Sequence, residues 1–92
     1  MKYRSRFTIA SSILRTAQTG GNTKTRLMYG SYLSFGQINE YLKFLLENKL
    51  IMKDLETHTY APTERGIHFL KMVDEMEKLI SLDDPALVRV AK

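Results

Sequence analysis

The stretch TKTRLMYGSYLSFGQINEYLKFLLENKLI, residues 23–51, holds two helix starts in close succession. Thr23 is a residue type that caps a helix N-terminus, and Leu27 and Met28 give the short helix after it a buried side. Gly30 and Ser31 follow within two turns, so that helix cannot run far. The second start is stronger. In SFGQ, residues 34–37, the Ser34 hydroxyl can accept from the backbone while Gln37 reaches back, a capping box. Phe35, Ile38, Leu42, Leu45 and Leu46 then recur on one face through to Asn48, with Tyr41 and Phe44 flanking the stripe. A short helix, a turn and a longer amphipathic helix are expected here.

Upstream, Ser5 to Gln18 places Ile9, Ala10, Ile13, Leu14 and Ala17 on one helical face, with Ser5 as cap and TGGN at 19–22 as the stop. Downstream, LIMKDLETHTYAPT reads as a hairpin with strands near 50–54 and 58–61, turning through Asp54–His58. Pro62 is expected to end the second strand, and Thr63 to cap a last helix with Glu64 in its first turn. That helix should reach about Leu82. Phe69, Val73, Met76 and Ile80 form its apolar seam, widened by Leu70 and Leu79, and Gly66 lets it pack closely. Met28, Met52, Met72 and Met76 are read as core. An isolated two-stranded hairpin is marginal in water, so it must lean on the helices.

Composition narrows the class. The chain has 92 residues and 43% apolar content, enough for one domain near the lower end of what a single core supports. No apolar run approaches the roughly 18 residues of a membrane span, and no secretory leader is read in MKYRSRFTIASS. The absence of Cys excludes a disulfide scaffold and thiolate metal sites, and suits a cytoplasmic setting. Charge is uneven. Residues 1–53 hold nine Lys/Arg against Glu40 and Glu47, a balance of +7, while residues 54–92 hold five against eight acids, −3. No acid precedes Glu40. A one-signed field on a small domain attracts polyanions.

The order helix, short helix, turn, helix, hairpin, helix is that of a winged helix-turn-helix. TKTRLMYGSYLSFGQINEYLKFLLENKLI (23–51) with THTYAPTERGIHFL (57–70) closely resembles the winged-helix DNA-binding proteins abundant in archaea, over roughly residues 4–80. The resemblance implies an α+β, mostly α fold: three helices, a two-stranded hairpin wing and a long C-terminal helix. It divides the chain into a winged core (1–62), a C-terminal helix (63–82) and a tail (83–92), and it implies transcriptional regulation. Some relatives dimerise through the C-terminal helix, which here would use Phe69, Leu70, Val73, Met76, Leu79 and Ile80. Asn48-Lys49 stands where many relatives have Gly, and Asn48, which tolerates a left-handed backbone, is expected to take the turn.

In a helix-turn-helix the second helix enters the major groove while the first crosses the backbone. Gln37 and Asn39 are side chains of the type that pair with adenine edges, and Lys43 suits a phosphate. Lys24, Thr25 and Arg26 open the short helix, where backbone N–H groups favour a phosphate. Arg4 and Arg6 flank the first helix, and Ser34 and Tyr32 lie in the turn. The wing contributes only Lys53 and His58 against Asp54 and Glu56, a weak grip. Double-stranded DNA and a second copy of the chain are the expected partners. The rival is a winged helix used for protein–protein contact in a transcription or chromatin assembly, favoured by Glu40, Glu47 and the weak wing. Single-strand binding through Tyr29, Tyr32 and Tyr41 ranks below both. Catalytic and metal-ligating patterns are lacking: His58 and His68 have no ligand-spaced partner, and TGGNTKT lacks phosphate-loop spacing. No enzyme activity, cofactor or small-molecule ligand is expected.

Overall fold

The computed structural model describes residues 5–19 and 22–79. In chain order the elements are α1 (Arg6–Gln18), α2 (Lys24–Gly30), α3 (Phe35–Glu47), β1 (Ile51–Asp54), β2 (Thr59–Pro62) and α4 (Glu64–Leu79). Each helix starts on a side-chain cap that satisfies an otherwise orphaned N–H. Ser5 Oγ accepts from Thr8 N at 3.1 Å, Thr23 Oγ1 from Arg26 N at 3.3 Å, and Thr63 Oγ1 from Gly66 N at 3.0 Å. For α3 the box is complete: Ser34 Oγ accepts from Gln37 N at 3.2 Å, and Gln37 Oε1 accepts from Ser34 N at 2.9 Å.

Both helices of the central pair end in the same way. After α2, Tyr32 takes φ 57°, with Leu33 N donating to Met28 O at 3.0 Å and Tyr32 N to Tyr29 O at 3.2 Å. After α3, Lys49 takes φ 58°, with Leu50 N donating to Leu45 O at 2.9 Å and Lys49 N to Leu46 O at 3.1 Å. This paired bonding is the Schellman termination, which favours Gly at the left-handed position. The expectation for Asn48 is thus displaced by one residue. Asn48 stays at φ −92°, and its Nδ2 turns back to donate to Phe44 O at 2.9 Å, so Lys49 makes the turn.

The hairpin pairs Ile51 with Pro62, Met52 with Ala61, Lys53 with Tyr60 and Asp54 with Thr59. Pro62 ends β2 as expected and is itself the last rung, where a missing N–H is tolerated. Thr63 N then donates to Leu50 O at 3.1 Å. The hairpin also has a support that residue patterning did not reveal. Tyr60 N donates to Asn22 O at 2.8 Å, an antiparallel bridge, and buried Asn22 donates through Nδ2 to Thr16 O at 2.7 Å and Thr19 Oγ1 at 2.8 Å. Asn22 therefore ties the end of α1, through its side chain, to the wing, through its backbone carbonyl.

Ala10, Ile13, Leu14 and Ala17 of α1 meet Leu27, Ile38, Leu42, Leu45, Leu50, Ile51, Tyr60 and Leu70 in one core. Five residues expected in it are exposed instead. Phe35 and Leu46 leave the buried stripe for solvent, and Met52, Met72 and Met76 are exposed rather than core. Phe35 is the first residue of α3, where the turn from α2 has not yet covered the helix. Met52 lies on the outer face of β1, and Met72 and Met76 lie along an open groove beside α4. Helix α4 is fastened along α1 by an Arg15–Asp74 ion pair, by Thr8 Oγ1 donating to Glu77 Oε2 at 3.1 Å, and by the Phe7 and Phe69 rings at 6.2 Å.

Candidate nucleic-acid interface

The start of α2 is locked to the start of α3. Lys24 Nζ donates to Asn39 Oδ1 at 2.7 Å and lies 4.8 Å from the centroid of the Phe35 ring. An ammonium has three donors, so one bond to Asn39 leaves others for a phosphate. Thr25 and Arg26 are exposed beside it. The Arg26 N–H, however, is taken by the Thr23 cap, so attraction for an anion rests on the side chains more than on free backbone donors. Arg6, exposed at the first position of α1, shares a cleft with Gln37, Glu40 and Tyr41 of α3. Lys43 is exposed farther along α3.

The candidate base readers are already engaged. A bidentate contact to adenine needs an amide oxygen to accept and the amide nitrogen to donate. Gln37 Oε1 is held in the capping box, and Asn39 Oδ1 is held by Lys24. Each oxygen keeps one further lone pair, but its present bond fixes where the amide points, so a bidentate contact must share or break that bond. Ser34 Oγ accepts from Gln37 N and keeps its O–H free to donate to a phosphate oxygen.

The wing tip is residues 55–58, closed by His58 N donating to Asp54 O at 2.8 Å, with His58 at φ 56°. Asp54 Oδ1 accepts from Glu56 N at 2.9 Å and Thr57 N at 3.3 Å. Those two backbone bonds, Glu56 foremost, hold the Asp54 carboxyl below the ordinary aspartate pKa. A depressed folded-state pKa stabilises the turn fully above the unfolded-chain value, and the stabilisation is lost as pH falls through the lower folded one. Amide shifts of Glu56 and Thr57 should therefore titrate with an acid midpoint below that of an unstructured aspartate. A midpoint at the ordinary value would contradict the turn geometry. Lys53 is exposed, and its Nζ lies 5.7 Å from the Tyr60 ring centroid, within cation–π reach. The most exposed apolar residue of the tip is Leu55, which residue types had not singled out.

The winged helix-turn-helix family matches residues 3–81. The chain belongs to this family. It is also similar to an uncharacterised protein of the archaeon Methanocaldococcus jannaschii, 36% identical over 78 residues, spanning 85% of this chain and 78% of the relative. Winged helix-turn-helix domains are typically DNA-binding and non-enzymatic, so DNA is the ligand class to which the α2–α3 pair points. Among the described residues, no group of three or more His, Asp or Glu could hold a metal ion, and no helix is long and apolar enough to cross a membrane.

Within this winged helix-turn-helix, the candidate pairing residues on α4 divide. Leu70 and Val73 are buried in the protomer itself, because α4 packs them against α1 and the hairpin. They cannot also serve an outward seam. Met76, Leu79 and part-buried Phe69 remain, joined by exposed Met72. With Phe7 and Phe44 they line an apolar groove between α1, α3 and α4. Arg4 and Ile80, also expected to contribute, lie outside the described residues.

Proposed function

We propose that this winged helix-turn-helix chain binds duplex DNA as a homodimer and acts as a transcriptional regulator in the cytoplasm, with phosphate contacts dominating over base reading. The observation that carries the proposal is the acid-free stretch before Glu40, whose Lys24 is fixed against α3 while Arg6 and Arg26 stay exposed, joined by exposed Lys43 beyond it. Phosphates hold register and orientation, and base edges supply specificity. With Gln37 and Asn39 oxygens engaged, sequence preference should be modest. Thr25 and Ser34 assist at the backbone, and Lys53 and His58 of the wing contribute little.

The division of labour follows the same reading. Residues 1–62 meet DNA, residues 63–82 pair two copies, and residues 83–92 form a tail. Phe69, Met72, Met76 and Leu79 supply the apolar face on α4, a patch that favours burial. Sedimentation at micromolar concentration should give a dimer, and Met76→Lys should split it into monomers. A monomeric parent protein would end the pairing proposal. For the DNA contact, titrating a short duplex into labelled protein should move amide signals of α2 and the first half of α3. No shifts on adding duplex would favour the rival reading, a protein-docking winged helix, which draws its support from exposed Leu55 beside Asp54 and Glu56.

A further inference from the structure

Large aromatic rings usually leave water, yet three are turned into it within residues 29–35. Tyr29 is 70% exposed, Tyr32 86% and Phe35 64%. Tyr41, by contrast, packs against the core. Tyr32 occupies the left-handed position after α2, which glycine favours and a tyrosine does not, and so exposed a ring adds little to the core. Phe35 has no hydroxyl to solvate; its ring sits under the Lys24 ammonium, 4.8 Å away. Arg26 is exposed on α2, and no acid precedes Glu40 anywhere in the sequence.

We propose that Tyr29, Tyr32 and Phe35 stack on unpaired bases, giving the chain a second activity: binding single-stranded nucleic acid along the α2–α3 turn. Base faces are covered by their neighbours in an intact duplex, whereas a single strand offers a π-face at every nucleotide. Aromatic rings beside cations match that chemistry, with Lys24 and Arg26 placed to neutralise phosphates of the stacked strand. A protein partner for these rings would leave the positive charge around them unmatched. The inference uses the same surface as the duplex reading but different atoms, rings rather than charges alone.

The test compares oligothymidylate and oligouridylate of about 12 nucleotides, an abasic strand of equal length, and a duplex, by fluorescence anisotropy at low salt. The variants are Tyr29→Ala, Tyr32→Gly and Phe35→Ala, singly and combined. Glycine suits φ 57° at position 32, and all three rings are exposed, so folding should survive; circular dichroism verifies it. Each single change should weaken single-strand binding about 5- to 100-fold, while duplex and abasic affinities hold in Tyr29→Ala and Tyr32→Gly; Phe35 also braces Lys24, so its variant is read on the single strand alone. Tyrosine emission of the parent should be quenched by the single strand and less so in the tyrosine variants. Binding to either sugar type supports the proposal, and the tighter one identifies the source. Equal parent affinity for abasic and base-bearing strands would overturn it, as would full retention by the triple variant, the result expected of a protein-docking patch. A parallel loss on duplex and single strand in Tyr29→Ala and Tyr32→Gly also overturns it. Duplex binding with no single-strand binding sinks this inference and spares the duplex reading; binding to neither sinks both.

Discussion

Gly66→Ala is expected to destabilise the protein by about 3 kcal/mol, against the usual direction of a glycine-to-alanine change in a helix. Alanine at an ordinary interior helical site gains about 1 kcal/mol over glycine. Here a Cβ would lie 2.0 Å from Leu50 O and 3.0 Å from Leu50 C, with Pro62 Cβ at 3.4 Å. The nearest atom belongs to the backbone and already accepts the Thr63 N–H at 3.1 Å, so it cannot yield without breaking the join between hairpin and α4. Overpacking of even flexible side chains costs about 1–3 kcal/mol, and rigid backbone is less forgiving. The clash wins. The thermal midpoint should fall by roughly 10–20 °C for a domain of this size. Gly36→Ala is the internal control, because nothing lies within 4 Å of its added Cβ; it should not destabilise. Equal midpoints for Gly66→Ala and the parent would show that α4 does not meet Leu50 as described.

The second large effect concerns binding. Lys24→Gln with Arg26→Gln should weaken duplex binding by more than about tenfold at moderate salt and reduce the salt slope by about 2 per protomer. The loss should be nearly uniform across DNA sequences, as befits phosphate contacts. Arg15→Gln removes the same charge from a guanidinium paired with Asp74 on α4, and it should change affinity far less. If Arg15→Gln matches the effect of removing Arg26, net charge rather than the α2–α3 face governs binding. Affinities are read by anisotropy on one duplex at several salt concentrations.

Local chemistry made most of the fold legible. Ser5, Thr23, Ser34 and Thr63 each cap a helix where their residue type and the following apolar period place them. What periodicity could not supply was the extent of each neighbour. Phe35 has the right phase for the buried stripe but stands before α3 is covered, and Met72 and Met76 have the phase of a seam without a core to enter. Lys49 takes a left-handed turn that Asn48 suits better, because the Schellman bonds fix the turn one residue later. Asn22 is polar and follows two glycines, so its burial and its bridge to Tyr60 depend on tertiary contacts alone. The site was legible in kind: basic and amide residues on two adjoining helices. Its pairing was legible only in part. The capping box announced the use of Gln37, whereas Lys24 and Asn39 are fifteen residues apart and meet only through the angle of α2 on α3.

The measurement that bears most directly on the proposal is a salt titration of duplex affinity for the intact chain. Arg6, Lys24, Arg26 and Lys43 are the cations proposed to meet phosphate on each protomer. Each contact contributes a slope of about −0.9 in log K against log[salt]. The expected result is tight binding at low salt that falls linearly with a slope steeper than about −3. Undetectable affinity at low salt, or a slope near zero, would contradict it.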